Sequence, residues 1–599
     1  MSESSQRRSE EFLKISGQFK LGALVTESSH PVTANLSDVA KTDIAAALDL
    51  LFQADGDVVN KFREFAASGR AEKIAAVILN SIKSGGKVFF TGCGSTGRLS
   101  ILLDSIWRDF WRKQKNSDFA NRTFSVMAGG DYALIKSVEG FEDFTAFGEK
   151  QITDLSLSSK DVVFAITEGG ETSFVIGTAW AGVKAGAKVY FVYNNPDDVL
   201  CEHVQRSREV IQDARIEKIN LTTGPMSITG STRMQATSIQ LAVMLTILEI
   251  VVRELVNARD ALPRVREADQ QVSPTSSVPA EFLAQLETLH ANLRSPEFLA
   301  SLAKLVALEE SVYRGGGKNN YFANHLGADV LTDTTERSPT YCTPPFRKFD
   351  DATATESWAY LFLPEPDAAS AWRSILKREP RCVEWNDSEI RALVSEDKFP
   401  RTREIIGKIS AHELRRFRIG LDGAENRPLG KGDSAIAVLS ETEIADFQIS
   451  QLEAAQQTGA RTGVICFGNA ELKTLNAEQV FVPIPKTNFL LNGLTRVAVK
   501  LVMNALSTCT MVRLGRVMGN YMVWVVPSNL KLIDRATRYI SKLTDLPYER
   551  ANELLFEIIE YVEPRMKADQ AYPPVVGMAV VRAKNNFTNE QAERFLQSQ

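Results

Sequence analysis

Cysteine and histidine are scarce in this chain, and those present are scattered. Cys93, Cys201, Cys342, Cys382, Cys466 and Cys509 are the six cysteines, and His30, His203, His290, His325 and His412 the five histidines, among 599 residues. No C-x-x-C pair and no cysteine–histidine cluster occurs. That excludes a zinc finger and leaves no disulfide framework to read, so no metal is expected. The thiols are expected to be reduced, as in a cytoplasmic protein. Excess positive charge is missing too. With 69 basic and 74 acidic residues the net charge is −5, which gives no drive towards nucleic acid or an anionic membrane. Long apolar runs are absent: the most apolar stretch, 241–256, carries Glu249 and Arg253 and reads as a buried helix, not a membrane span. The opening MSESSQRRSEEF has no apolar core, so no signal peptide is expected.

What is there is globular: 44% hydrophobic and 24% charged residues, on a chain long enough for roughly two to four domains. Apolar residues at helical spacing over 71–84 stop at Gly85-Gly86. KVFFT (87–91), TFSVMA (123–128), DVVFAIT (161–167) and KVYFVY (188–193) read as short buried strands with helical patterns between them. Such alternation predicts a doubly wound parallel sheet covered on both faces, an α/β class. A long helix from about Met234 to Leu255 closes this unit. The segment ARDALPRVREADQQVSPTSSVPAEF has the charge, proline and serine of a linker, with a boundary near residue 275. The pattern then recurs. SVYRGGGKNNYF (311–322) reads as a counterpart of KVFFTGCGSTGRL, as strand, glycine loop and helix. DSAIAVLSETEIADF (433–447) pairs with DVVFAITEGGETSFV (161–175), and QTGARTGVICFGN (457–469) with KAGAKVYFVYNN (184–195). Three correspondences in one order predict two copies of one α/β unit, the second with an insertion over 344–431. From about Gly493 the chain reads helical.

Two loops carry the chemistry. Thr91-Gly92-Cys93-Gly94-Ser95-Thr96-Gly97-Arg98 lies between a strand and a helix and satisfies G-x-G-x-x-G. A dinucleotide site would want an acid at the end of the next strand, where this chain has Ala128-Gly129-Gly130-Asp131, so a nicotinamide dehydrogenase is a distant alternative and no cofactor is expected. Ser95 and Thr96 instead set hydroxyls beside helix-start N–H groups, which suits a terminal phosphate; a mere tight turn is the bland alternative. Thr167-Glu168-Gly169-Gly170-Glu171-Thr172-Ser173 repeats the arrangement after another strand, and the two loops would converge where open α/β sheets bind ligands. A third signal, Val138-Glu139-Gly140-Phe141-Glu142-Asp143, reads equally as a solvated acidic helix start.

TGCGSTGRL, AGGD, VEGFED and TGSTRMQATSIQL (229–241) together resemble the sugar isomerase (SIS) domain. More narrowly they resemble the group holding the N-acetylmuramic acid 6-phosphate etherases and the glucokinase regulatory protein. TESSHPVTANLSDV (26–39), KLVMNALSTCTMVRLGRVMGNYM (500–522) and SNLKL (528–532) extend the likeness. The two-copy plan is similar to that of the regulatory protein. The resemblance implies an N-terminal segment (1–45), a first SIS domain with the site (46–270), a degenerate second (285–492) and a helical lid (493–599). It implies a hexose phosphate cradled by Gly94, Ser95, Thr96, Thr167, Gly169 and Thr172, with Lys500 on the phosphate and Glu142 as the acid–base residue of any enzyme.

The etherase reaction needs two positioned carboxylates. Glu142 matches one, but Ile106 stands where the helix should carry the other. Asp104 is two residues away, about 200° around the helix, and Leu99, Leu102, Leu103, Ile106, Trp107 and Phe110 read as a core face. Glu168, beside the expected phosphate, and Gln235, in place of a lysine, also depart from the pattern and would weaken anion binding or alter the ligand preferred. In the second copy Ser440-Glu441-Thr442-Glu443 has lost its glycines, and Gly315-Gly316-Gly317-Lys318 keeps the turn without the hydroxyls, so no phosphate site is expected there. His325 is expected to pack on an apolar helix. The leading expectation is a monomeric, non-catalytic sensor of a ligand such as fructose 6-phosphate that controls a partner, a sugar kinase by resemblance. The alternatives are an etherase, which is a carbon–oxygen lyase, or a sugar-phosphate isomerase.

Overall fold

The computed structural model describes residues 3–16, 21–138, 140–260, 277–468, 476–527, 530–567 and 572–597. The expected linker boundary near 275 and Glu139 of the acidic run lie outside the described residues. Two five-stranded parallel sheets organise the chain. The first comprises β1 (Val88–Gly92), β2 (Thr123–Met127), β3 (Val162–Ile166), β4 (Lys188–Tyr193) and β5 (Ile216–Asn220) in the order β2-β1-β3-β4-β5. The second comprises β6 (Asn319–Ala323), β7 (Ala359–Phe362), β8 (Ser434–Ser440), β9 (Arg461–Phe467) and β10 (Glu478–Val482) in the order β10-β9-β8-β6-β7. Taken from its other end, that order repeats the first. β1 and β3 are buried along their whole length because helices cover both faces, which is why VFFTG and VVFAI read as unbroken apolar runs. β5 escaped the sequence reading: IEKIN is an edge strand with Glu217 exposed, and it lacks such a run.

One expected correspondence is displaced. Ser311–Arg314 are not a strand but the end of a helix, Pro296–Arg314, whose buried Leu302, Leu305, Val306, Leu308, Val312 and Tyr313 follow helical spacing. Gly315 and Gly316 stop that helix, and the strand is Asn319–Ala323. SVYRGGGKNNYF therefore corresponds to SIKSGGKVFF (81–90), as helix, double-glycine stop and strand. Gly315–Lys318 thus enters the strand and is not a loop at its ligand-binding end. The loop leaving β6 is 324–326, and it holds His325, exposed and on no helix.

Six helices bear on the site: α1 (Gly94–Lys113), α2 (Ser173–Ala185), α3 (Gln235–Asp260), α4 (Gly327–Tyr341), α5 (Gly493–Arg513) and α6 (Leu530–Thr544). α5 is apolar almost all round and lies between the two sheet units, against α3 of the first and α4 of the second. α1 is buried on nearly every side, so that even Asp104 and Arg108 are only 1% exposed. The second unit supplies the missing cover. Arg378 of its insertion reaches Asp104 Oδ2 at 3.1 Å and Asp131 at 2.6 and 2.9 Å, while Arg108 Nε holds Asp104 Oδ1 at 2.7 Å. Burial would raise the Asp104 carboxyl, but Arg108, Arg378 and Arg381 outweigh it and hold it below its ordinary range.

Removing one partner of a buried ion cluster strands the others. Arg378→Met keeps the bulk and leaves Asp104 and Asp131 short of a cation, so it is expected to cost about 3–5 kcal/mol of stability. Urea unfolding of the full chain measures this, and an unchanged midpoint would show that the cluster does not join the units.

Candidate functional site

The strand order of the first sheet reverses direction between β1 and β3, and loops leaving neighbouring strands at such a point part to leave a crevice. Both hydroxyl-rich loops open there. In the first, Cys93 N-caps α1 and Thr96 closes the turn: its hydroxyl accepts from Cys93 N at 3.1 Å and donates to the Cys93 carbonyl at 2.9 Å. Gly92 has to be glycine, since a Cβ would lie 2.3 Å from the Thr96 carbonyl carbon. Gly94 has φ +56°, in the left-handed region. Folded this tightly, the loop aims the unpaired first-turn N–H groups of α1 at the crevice. In the second loop the Thr167 and Thr172 hydroxyls bond each other at 3.1 Å, and Asn195 Nδ2 donates to the Gly169 carbonyl at 3.0 Å.

A cavity of about 900 Å³ occupies this crevice, and its walls come from three parts of the chain. The first unit contributes Gly94, Ser95, Arg98, Glu142, Glu168, Thr172 and the Gly230-Ser231-Thr232-Arg233 turn. The second unit contributes Glu336, Pro339 and Thr340 from α4, with Lys398, Arg401 and Ile405 from its insertion. The C-terminal helices contribute Lys531, Leu532 and Arg535 of α6. Of the residues expected from the sequence, Gly94, Ser95, Glu142 and Thr172 are brought together on this wall. Thr96, Thr167, Gly169 and Lys500 are not on it. Thr96 spends its hydroxyl on the turn, and Thr167, fully buried, spends its own on Thr172 and supports the second loop.

Behind Ser95 lies a cluster of buried charge. Glu336, 1% exposed, sits 3.6 Å from both Arg233 Nε and Lys500 Nζ, and neither of its oxygens completes a hydrogen bond. Burial would raise its carboxyl, but Lys500, Arg233 and Arg98 prevail and hold it low, with the Ser95 hydroxyl alongside. Arg98 Nε donates to Thr335 Oγ1 at 3.1 Å, and Arg233 Nη2 donates to Asp333 Oδ1 at 2.7 Å. That leaves Arg98 Nη2 and Arg233 Nη1 buried with no acceptor. Burial pulls the Arg98 and Lys500 pKa values down, against the pull of Glu336. Two unpaired guanidinium donors beside a helix N-terminus are a costly arrangement that an anion would relieve.

Two other carboxylates on the cavity wall, Glu142 and Glu168, are perturbed in the other direction. The loop bearing Glu142 is pinned by Phe141, which packs on Phe147 and Trp385 with ring centroids 4.8 and 5.9 Å apart, and Phe174 N donates to the Glu142 carbonyl at 3.0 Å. Burial raises the Glu142 pKa, with Lys531 opposing. Glu168, 8% exposed, accepts from Thr237 Oγ1 at 3.2 Å, and burial pushes it up to about 7. Asp104 is locked in its ion cluster and Ile106 is 4% exposed in the core, so neither reaches the cavity. Gln235 is off the wall as well: it donates to Asp55 Oδ1 at 2.8 Å and accepts from Ser227 N at 2.9 Å. Sequence reasoning missed Glu336 and Arg535 altogether, and it quoted Lys531 within SNLKL (528–532) without giving it a place in the site. All three come from elements far away in the chain, and no local motif marks Glu336 or Arg535. Among the described residues no cluster of three or more His, Cys, Asp or Glu side chains could hold a metal ion. No helix there is long and apolar enough to cross a membrane.

α6 is fastened over the cavity by buried ion pairs. Arg535 meets Glu27 of the N-terminal segment at 2.5 and 3.1 Å, and Arg538 Nη2 meets it at 3.0 Å. Lys531 pairs with Glu171 of the second loop. Tyr539 donates to the Thr229 carbonyl beside Gly230, whose φ is +70°.

Comparison with known proteins bears on the family. Residues 71–181 match the family described as the glucokinase regulatory protein N-terminal SIS domain. The chain is 30% identical over 225 residues to N-acetylmuramic acid 6-phosphate etherases of Yersinia pestis (strain Pestoides F) and Yersinia pseudotuberculosis serotype O:1b (strain IP 31758). The match covers 37% of this chain and 69% of each relative. Among solved structures it is similar to a tagatose-6-phosphate ketose/aldose isomerase from Escherichia coli, at 8% identity and a TM-score of 0.41 over 82% of this chain and 99% of that one.

Burial alone would raise the Glu27 carboxyl, but Arg535 and Arg538 bring it down from 4.5 to about 2. A depressed carboxyl stabilises above its unfolded pKa, and that contribution, about 3 kcal/mol here, fades as pH falls from about 4.5 through about 2. Glu27→Gln is expected to remove it at neutral pH. Hydrogen exchange over 530–544 should then rise in the variant at pH 7, and in the unmodified chain only on acidification.

Proposed function

The chain belongs to the SIS-domain family, in the group that holds the N-acetylmuramic acid 6-phosphate etherases and the glucokinase regulatory protein, and from that premise we propose that it is a sugar-phosphate-binding regulatory protein. Its ligand is of the fructose 6-phosphate class. The observation that carries this reading is the pair of buried, unpaired guanidinium nitrogens of Arg98 in α1 and Arg233 in the turn before α3, both on the cavity wall. A phosphate dianion there meets Ser95, the helix N–H groups and both arginines, with Lys500 behind them as countercharge. The sugar hydroxyls then face Glu142, Thr172, Thr232 and Glu336 across the same cavity.

Regulation follows from who builds the walls. Only a closed arrangement of first unit, second unit and α6 presents every wall to one ligand. The ligand therefore favours that arrangement over any in which the parts separate, and differential affinity is what shifts a conformational equilibrium. The partner proposed to read this change is a sugar kinase. The chain acts as a monomer, because its own second unit supplies Glu336 to the first unit's cavity. The etherase alternative keeps Glu142 but finds its second acid neither at Ile106 nor at Asp104.

Titration calorimetry of the full chain with fructose 6-phosphate tests the binding, and a sugar kinase assayed with and without the chain tests the control. Arg98→Gln removes a charged hydrogen bond worth about 1.5–3 kcal/mol and is expected to weaken binding by about 10–100-fold. Undiminished affinity in that variant would place the phosphate elsewhere.

A further inference from the structure

Phosphate binding gives no work to the run AGGD (128–131) and leaves Phe141 of VEGFED (138–143) without a task. Both runs meet the insertion of the second unit. Gly130, at φ +70°, has to be glycine, because a Cβ there would lie 2.9 Å from the Arg381 carbonyl oxygen and 3.0 Å from Cys382 Cα. The Arg381 carbonyl accepts from Asp131 N at 3.0 Å, and Arg381 N donates to Asp131 Oδ2 at 2.5 Å. Gly130 and Cys382 form an isolated antiparallel bridge. With Arg378 on Asp131 as well, the start of this segment is fastened along the first unit.

Three residues beyond Cys382, Trp385 reaches the loop that bears Glu142. Residues 140–144 belong to no helix or strand, so no backbone ladder fixes Glu142 there. Aromatic rings on either side of it do. Phe141 stacks on Trp385 with ring centroids 5.9 Å apart, and Phe147 meets Trp385 edge-on at 5.4 Å. Phe141 and Phe147 also touch each other at 4.8 Å, and all three rings are buried. Trp385 is itself fixed. Its Nε1 donates to Asp154 Oδ2 at 3.1 Å, and Lys150 joins Asp154 to Glu389 of the insertion at 2.5 and 2.8 Å. Farther along the insertion, Lys398 Nζ lies 5.0 Å from the Phe144 ring centroid. The second unit thus grips this loop before and after Glu142.

We propose that Trp385 is a specificity-determining positioning residue: by holding Phe141 and Phe147 it sets Glu142 where sugar hydroxyls meet it, so that discrimination of a hexose phosphate from free phosphate depends on the docked insertion. This rests on the binding reading and deepens it. Phe141, Glu142, Phe144 and Phe147 line the cavity, whereas Trp385 is not on its wall, so it acts through them. The phosphate end is built from other elements: Ser95 and Arg98 of α1, Arg233 of the turn before α3 and Lys500 of α5. A loop that has to be ordered when the ligand arrives subtracts that ordering from the affinity, and a loop already packed does not. The insertion therefore confers affinity for the sugar while leaving the anion end as it is.

Titration calorimetry of the full chain with fructose 6-phosphate and, separately, with inorganic phosphate tests this. Trp385→Ala is expected to weaken the sugar phosphate by about 10–100-fold, the loss of one charged hydrogen-bonding group, and to leave the affinity for inorganic phosphate unchanged. Phosphate binding by the variant also shows that it is folded. Trp385→Phe keeps the ring stacking without the N–H bond to Asp154 and should restore most of the loss. Glu142→Gln alone should cost about as much as Trp385→Ala, and adding it to Trp385→Ala should cost little more, since both remove one interaction. Equal losses of sugar phosphate and phosphate in Trp385→Ala, or full additivity with Glu142→Gln, would make Trp385 ordinary core and overturn the assignment. Undiminished sugar-phosphate affinity in Trp385→Ala overturns it too and leaves the binding reading intact. If the unmodified chain binds neither ligand, the binding reading falls and the assignment falls with it.

Discussion

Buried charge has to find its opposite, and in this molecule that requirement is met across the boundary between the two sheet units. Glu336 comes from α4 of the second unit, yet the cations that hold its carboxyl low are Arg98 and Arg233 of the first unit and Lys500 of the intervening α5. Arg378 of the second unit likewise satisfies Asp104 and Asp131 of the first. Either cluster, pulled apart, would leave ions in low dielectric without partners, at a cost of several kcal/mol each. These clusters therefore set the relative position of the two sheets, and with it the shape of the cavity between them.

The helical end is held by the same physics. Glu27, Arg535 and Arg538 form a buried triad between the N-terminal segment and α6, and Lys531 reaches from α6 to Glu171 of the second loop. Lys531 and Arg535 line the cavity while paired with these carboxylates, so an anionic ligand entering there changes the field in which those pairs sit. Ligand and cover are thus coupled electrostatically, with no need of a long-range path.

The second unit has the topology of the first with different side chains at its loop ends. Glu443 of the β8 loop accepts from His325 N of the β6 loop at 3.3 Å and from Gln448 Nε2 at 2.9 Å, drawing the two loops together. Arg496, at the start of α5, pairs with Asp329 at the start of α4. In the first unit the arginine in the turn before α3, Arg233, keeps a nitrogen unpaired. One fold thus carries two different sets of side chains at its loop ends.

Local chemistry was readable from the residues alone. The two hydroxyl-rich loops, the strand–helix alternation and the repeat depend on near neighbours in the chain, on turn glycines such as Gly94 and on apolar periodicity, and the structure has them in place. The reading slipped where two periods overlap: Val312-Tyr313 could end a helix or begin a strand, and only packing against β6 and its neighbours settled it. Three-dimensional encounters lay beyond it. Glu168 read as a departure beside a phosphate, and only the fold buries it on the cavity wall, which pushes its carboxyl up to about 7. Glu336, Lys531 and Arg535 lie hundreds of residues from the glycine loop they face. Sequence by itself determined most elements of the first unit and the family, because those follow from short-range backbone and side-chain preferences. Tertiary structure alone decided which charges share a cavity, because the interactions that select them act through space between residues remote in the chain.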